Sequence, residues 1–196
     1  TLPASPLISE TIERVKWAEA EGYSDAWFAD GGAPDSLTTA AALSAHTHTI
    51  RIGVAVTPVF TRTPVVLAAT ANALGQVLPG RFIMGLGASS QTMMNNWHGI
   101  PLEKPVTRVK NTAIMVRSML AGEKSNFDLD GLYSKGYRQD PIDQAPPIYL
   151  AALRPKMIEM AAEIGDGVIF NLWPQRALAK MIEHVRVGAE KAGKDW

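Results

Sequence analysis

Cysteine is absent from the chain, which excludes a disulfide framework, a thiol nucleophile and a thiolate metal site and fits a reducing cytoplasm. An excess of either charge is absent too: 19 basic residues balance 19 acidic ones, so no footprint for nucleic acid or for an anionic membrane surface is expected. No apolar run is long enough to span a bilayer. The nucleophile elbow Gly-x-Ser-x-Gly, the zinc-binding pair His-Glu-x-x-His and the Walker phosphate loop are all missing. Repeats, low-complexity tracts and linker-like stretches are missing as well. Nothing therefore divides the 196 residues, and with 46% of them apolar one core and a single domain over 1–196 are expected.

What is there is organised around residues 50–90. Apolar runs at 50–57 and 82–87 read as strands buried on both faces, the habit of parallel sheets covered by helices. Between them lies a helix with Thr63 as its cap and Pro64 in its first turn. Ahead of this unit, Ser5 and Pro6 start a helix with Ile8, Ile12, Val15 and Ala18 inward, and Gly22 stops it. Residues 24–30 form a short strand, and Asp35 caps a second helix over 36–45. Beyond the unit, residues 89–104 read as a long loop carrying Met93, Met94, Trp97 and His98. Pro105 opens a helix with Val109, Ala113, Val116 and Leu120 inward, and Asp130-Gly131 turns a hairpin over 127–133. Residues 147–152 and 166–173 form two more buried strands, separated by a helix that runs from Pro155 to Ile164. Pro174 starts a last helix with Leu178, Ile182, Val185 and Ala189 inward.

Five strands and six helices alternate, with the hairpin as an excursion. That pattern means an α/β fold with a parallel sheet, either doubly wound or barrel. A closed barrel normally takes ~250 residues. It would need one strand before Thr1 and two strand-helix units after Trp196, so an incomplete barrel is expected.

The candidate site residues sit where strands end. Asp30 closes the first strand and reads either as a turn aspartate or helix cap or as a ligand-facing group. GLGASS (85–90) lacks the third glycine of a dinucleotide fingerprint. It reads better as a strand end where Gly85 and Gly87 let backbone approach a planar ligand, with Ser89 and Ser90 offering hydroxyls. In LRPK (153–156), Arg154 and Lys156 flank the start of a helix at Pro155. They suit an anion such as a phosphate, or else are solvated surface charges. His46 and His48 lie on a polar connector with no third ligand in view and read as loop residues rather than a metal site.

Taken in series, DAWFAD (25–30), RIGVAVTP (51–58) with TRTP (61–64), PGRFIMGLG (79–87), WHG (97–99), PIYLAA (147–152) and GDGVI (165–169) resemble the bacterial-luciferase-like monooxygenase family. Within it the chain is similar to the oxidoreductases that use the deazaflavin coenzyme F420, of the methylenetetrahydromethanopterin-reductase type. The likeness covers nearly the whole chain. It implies a (β/α)8 TIM barrel with a flavin or deazaflavin at the carboxyl ends of its strands. It also implies a bulge with a non-prolyl cis peptide bond at Ala55-Val56 behind the ring, and Asp30, Gly87 and Ala88 along the ring, with Thr57 and Ser89 in the same cofactor-binding set. Ala152, Leu153, Arg154 and Lys156 would lie by the cofactor phosphate, and Asn171, at a strand end, would donate a hydrogen bond to cofactor or substrate. Many members have His after the aspartate where this chain has Gly31, and a glycine in the phosphate turn where it has Arg154.

The activity this implies is hydride transfer at the deazaflavin C5 position to or from a small organic substrate. The protein contributes orientation and a dry pocket, so no side-chain nucleophile is needed. His98 is the one histidine weighed as an active-site donor, against packing with Trp97. Trp27, Phe28 and Trp173 are core or pocket wall, while Met93, Met94 and Trp97 mark a partly hydrophobic substrate pocket. The rival readings are an FMN-dependent monooxygenase, a non-catalytic flavin-binding protein and a phosphate-sugar enzyme on a similar barrel. The expected partners are a small-molecule substrate and a second copy of the chain in a cytoplasmic homodimer, with no nucleic acid, membrane or metal.

Overall fold

The computed structural model describes residues 5–172 and 174–195. In chain order its elements are α1 (Ile8–Ala20), β1 (Asp25–Phe28), α2 (Ser36–Leu43), β2 (Arg51–Val54), β3 (Thr57–Pro58), α3 (Pro64–Val77) and β4 (Phe82–Gly87). A short π-helix (Met93–Trp97) follows, then α4 (Pro105–Leu120), β5 (Asn126–Leu129), β6 (Leu132–Lys135), β7 (Ile148–Ala151), α5 (Pro155–Ile164), β8 (Gly167–Ile169) and α6 (Gln175–Lys191). The main sheet runs β1-β2-β4-β7-β8, all parallel, with β3 also paired to β4. β5 and β6 form the separate antiparallel hairpin.

This order decides between the two architectures left open by the sequence. Right-handed crossovers that always step to the next strand put every helix on the same face, whereas a doubly wound sheet reverses direction at a switch point. Successive helices from α1 to α6 pack side by side in one layer. The sheet is therefore a wall of a TIM-type barrel, and the described strands form about half of one.

Local chemistry explains most boundaries. Asp35 accepts a hydrogen bond from the Thr38 N–H at 2.7 Å and caps α2; Thr63 accepts from the Val66 N–H at 3.3 Å and caps α3, whose first residue is Pro64. The hairpin turn holds Asp130 and Gly131 at φ 39° and 82°, the two positive values a two-residue turn of this hand requires. The start of β2 is fixed from α1. The Glu19 carboxylate accepts from the backbone N–H groups of His48, Thr49 and Ile50 at 2.9, 2.6 and 2.9 Å, and from the Thr49 hydroxyl at 3.0 Å. Burial pushes its pKa up, but these four donors win and hold it at about 2.

The core lies between sheet and helices. All six residues of β4 are buried, and Ile52, Val54, Leu67, Leu74, Val109, Val116 and Ile158 pack around them. At β1 and β7 alternate residues turn to the opposite, inner face, where the Trp27 and Tyr149 rings meet with centroids 5.9 Å apart. Their strands are three strand spacings apart, about 14 Å, so the rings lean toward each other across β2 and β4. Gly53 makes this possible: a Cβ there would come within 2.4 Å of the Trp27 ring, and one at Gly167 within 2.8 Å of the Tyr149 ring.

Several expectations need correction. The strand expected over 50–57 is interrupted after Val54 by the bulge that the resemblance implied, with the Ala55–Val56 peptide bond cis as expected, and pairing with β4 resumes at Thr57. The expected loop over 89–104 contains the π-helix. The Ser90 Oγ accepts from the Met93 N–H at 3.2 Å to start it, and fully buried Met94 anchors it. α1 begins at Ile8 rather than Ser5, since the Ser5 hydroxyl is engaged with the Leu7 N–H and with Glu10 in a turn ahead of it. α2 ends at Leu43 instead of 45, and β8 ends at Ile169; Trp173 lies outside the described residues. On α6, Val185 and Ala189 pack inward as expected, together with Met181 and Gly188, while Leu178 and Ile182 face solvent. The close approach at Gly188, where a Cβ would lie 2.2 Å from the Glu159 carbonyl oxygen, sets that rotation.

Candidate active site

Because the strands are parallel, their carboxyl ends share one rim, and the sequence-nominated residues all fall on it. Asp30 follows β1, and Ala55, Val56 and Thr57 join β2 to β3. Gly87 ends β4, with Ala88 and Ser89 after it. Ala152, Leu153, Arg154 and Lys156 pass from β7 into α5, and Asn171 follows β8.

The middle of the rim is tight. Pro58 pairs with Gly87, and the Val59 N–H donates to the Gly87 carbonyl at 2.9 Å. A Cβ on Gly87 would lie 2.5 Å from Val56 Cγ2 and 3.2 Å from Ala151 Cβ, so β4 meets the Ala55–Val56 segment and β7 only because this residue has no side chain. Thr57 is fully buried, and its hydroxyl has no hydrogen-bond partner among the described residues. Such an orphan is costly unless something pairs with it. Ser89 holds φ at 64° and its hydroxyl donates to the Met93 sulfur at 3.4 Å, which joins the β4 end to the π-helix. On the far side, Arg154 and Lys156 flank the first turn of α5 with exposed side chains that make no hydrogen bond or ion pair among the described residues. Unpaired cations beside free helix N–H groups form a local well for an anion.

At the β1 end of the rim a cavity of about 380 Å³ is lined by Asp30, Gly31, Gly32, Asp35, Pro58, Thr61, Arg62, Met93, Trp97 and His98. Of the nominated site residues only Asp30 and His98 line it. Met93 and Trp97 do so as expected, whereas Met94 is fully buried in the interior and is not part of the pocket. Asp30 is not the cap of α2; that is Asp35. Its carboxylate instead accepts from Arg62 Nη1 at 2.7 Å, and the same guanidinium donates through Nη2 to Asp35. Burial pushes the Asp35 pKa up, but the Thr38 hydrogen bonds and the Arg62 charge together hold it below the ordinary carboxylate value. Arg62 is the site residue that sequence reasoning missed. Its signal was its place directly before the Thr63-Pro64 helix start, at the end of the broken strand. His46 and His48 show no company: among the described residues no group of three potential metal ligands exists.

The sequence pattern of the luciferase-like monooxygenase family matches residues 2–196. The chain is 32% identical over 195 residues, 99% of its length and 59% of the relative's, to a 5,10-methylenetetrahydromethanopterin reductase of Methanolobus tindarius. It is 32% identical over 180 residues, 87% of this chain and 53% of the relative, to an F420-dependent glucose-6-phosphate dehydrogenase of Gordonia bronchialis. The solved coenzyme F420-dependent tetrahydromethanopterin reductase of Methanopyrus kandleri shares the fold, with a TM-score of 0.84 at 23% identity over 98% of this chain and 60% of that one. The chain thus spans little more than half the length of the curated relatives it matches. A barrel wall wound in sequence order, with its glycine-lined strand ends gathered on one rim and this pattern running its whole length, belongs to the luciferase-like monooxygenase family.

Proposed function

We propose that this chain is part of an oxidoreductase that uses coenzyme F420 to transfer hydride to or from a small organic substrate at the carboxyl rim of the sheet. The observation that carries the reading is the rim itself. The orphaned Thr57 hydroxyl, the side-chain-free contact of Gly87 with Val56 and the unpaired Arg154 and Lys156 sit at the ends of neighbouring strands. These residues fit a planar ring joined to a phosphate-bearing tail. Val56, Gly87 and Ala88 would back the ring, the Thr57 hydroxyl would find its missing partner, and Arg154 and Lys156 with the first turn of α5 would hold the phosphate. When bound, the deazaflavin supplies the hydride-carrying carbon. The residues of this chain orient and enclose: Met93 and Trp97 exclude water from one side, and Asp30 and His98 offer polar contacts to a substrate in the cavity. The names of relatives that act with coenzyme F420 support the choice of cofactor.

On the same reading the chain forms part of a single barrel domain that works in the cytoplasm as a homodimer. The absence of cysteine and the exposed apolar side chains Leu178 and Ile182 on α6 support these points. Binding of coenzyme F420 against FMN, followed by quenching of tryptophan fluorescence in the full chain, tests the proposal. Preference for coenzyme F420 is expected, and Arg154→Ala combined with Lys156→Ala is expected to weaken binding about tenfold or more. Preference for FMN moves the flavin monooxygenase reading ahead, and binding of neither overturns the cofactor assignment.

A further inference from the structure

We infer that the cavity beside β1 is a substrate subsite that accepts a neutral or cationic hydrogen-bond donor and turns anions away; only the word substrate rests on the function proposed above. Three charged side chains line this cavity, two carboxylates and one guanidinium. Arg62 is the group that an incoming carboxylate or phosphate would seek, since its planar fork matches both. Its charge is already shared between two carboxylates, Nη1 donating to Asp30 and Nη2 to Asp35. What remains is a lining with one net negative charge.

Asp30 supplies the recognition. Its side chain is 8% exposed, so it is held almost entirely inside the protein, yet only Oδ2 is engaged. Oδ1 makes no hydrogen bond among the described residues, and an ionised carboxylate oxygen can only accept. The ligand must therefore bring an O–H or N–H to it. Both Asp35 oxygens are already engaged, one by the Thr38 N–H at the start of α2 and one by Arg62, so Asp30 Oδ1 is the carboxylate oxygen of this lining that has no partner among the described residues. Trp97, 61% exposed and on the cavity lining, adds an indole ring, a group that attracts cations rather than anions. An anionic ligand would meet a lining of like net charge, with Arg62 already balanced by two carboxylates.

Trp97 also reports on the cavity without any cofactor. The fluorescence it contributes is the difference between the full chain and its Trp97→Phe variant. That difference is titrated with caesium and with iodide at constant ionic strength and pH 8, where histidine carries no charge, each normalised to free N-acetyltryptophanamide. Caesium is expected to quench this component at least about twofold better than iodide, as local attraction of the favoured sign requires. The order should reverse in the Asp30→Asn/Asp35→Asn variant and widen in Arg62→Met. Equal quenching, or better quenching by iodide, in the unsubstituted chain overturns the inference whether or not the variants fold. Loss of coenzyme F420 binding would leave this measurement untouched, so the two readings fail separately.

Discussion

Gly85 has no room for even a methyl group: a Cβ there would lie 1.8 Å from the Val54 carbonyl oxygen and 3.0 Å from Ile169 Cδ1. Backbone cannot step aside as a side chain can, so Gly85→Ala should part β2 from β4 and cost about 3 kcal/mol or more. Gly87→Ala meets the Val56 and Ala151 side chains instead, and about 1–2 kcal/mol is expected. Chemical denaturation midpoints of the two variants check the ranking. Glu19 gives a pH-dependent counterpart. Its folded-state pKa of about 2 lies below the ordinary 4.5, so its contribution is complete above the ordinary value and drains away as pH falls through the folded one. Glu19→Gln should lose about 1 kcal/mol at pH 7, a figure held down by solvent screening, and the gap to the parent chain should close as pH approaches 2 in paired thermal melts. At this scale the sequence was readable where a residue serves its own neighbourhood. The caps Thr63 and Asp35 and the turn Asp130-Gly131 were legible because their partners lie within three residues. Glu19 and Arg62 were not, since their partners lie about thirty residues away and no local pattern encodes the meeting.

Elements bear the same division. α3, α4 and α5 start at their prolines and carry the inward faces the periodicity demands, because each packs one stripe against a continuous sheet. α6 departs from expectation only at Leu178 and Ile182, with Val185 and Ala189 inward as expected. Its apolar positions satisfy two stripes, and the contact at Gly188 with α5 selects between them. Gly188→Leu should therefore push α6 off α5 and cost about 3 kcal/mol, which thermal melts check. Caps differ in weight as well. The cap of α2 also holds Arg62, while that of α3 is a single exposed bond of 3.3 Å. Thr63→Ala should cost about 1 kcal/mol and Asp35→Ala more. The π-helix escaped sequence reading because five polar and apolar residues without a clean period look like loop, and only the burial of Met94 gives them a reason to coil.

At the scale of the whole molecule, sheet order was the deciding unknown. Alternation of strands and helices is legible in any α/β chain, but whether the winding reverses depends on which strands pair, and pairing is written across distances from 18 residues (Tyr149 with Gly167) to 64 (Met84 with Ile148). The rim followed at once: once the order is sequential, every strand end falls on it, so the positions read from strand ends and from the family resemblance share one face. The cavity did not follow, because it needs the Gly31 turn, the Arg62 segment and the π-helix to converge. Among the described residues β1 and β8 each pair on one side only. Open edges of this kind favour association, so light scattering of the chain should rise with concentration and fall back in Ile169→Lys, which places a charge on the outer strand. The lean of Trp27 toward Tyr149 across two intervening strands has an optical consequence. Two rings held 5.9 Å apart and 32° out of plane couple their transitions, and that coupling survives only while the sheet stays bent. Near-ultraviolet circular dichroism thus reads the curvature of the wall directly, and flattening would silence it while every strand was still intact.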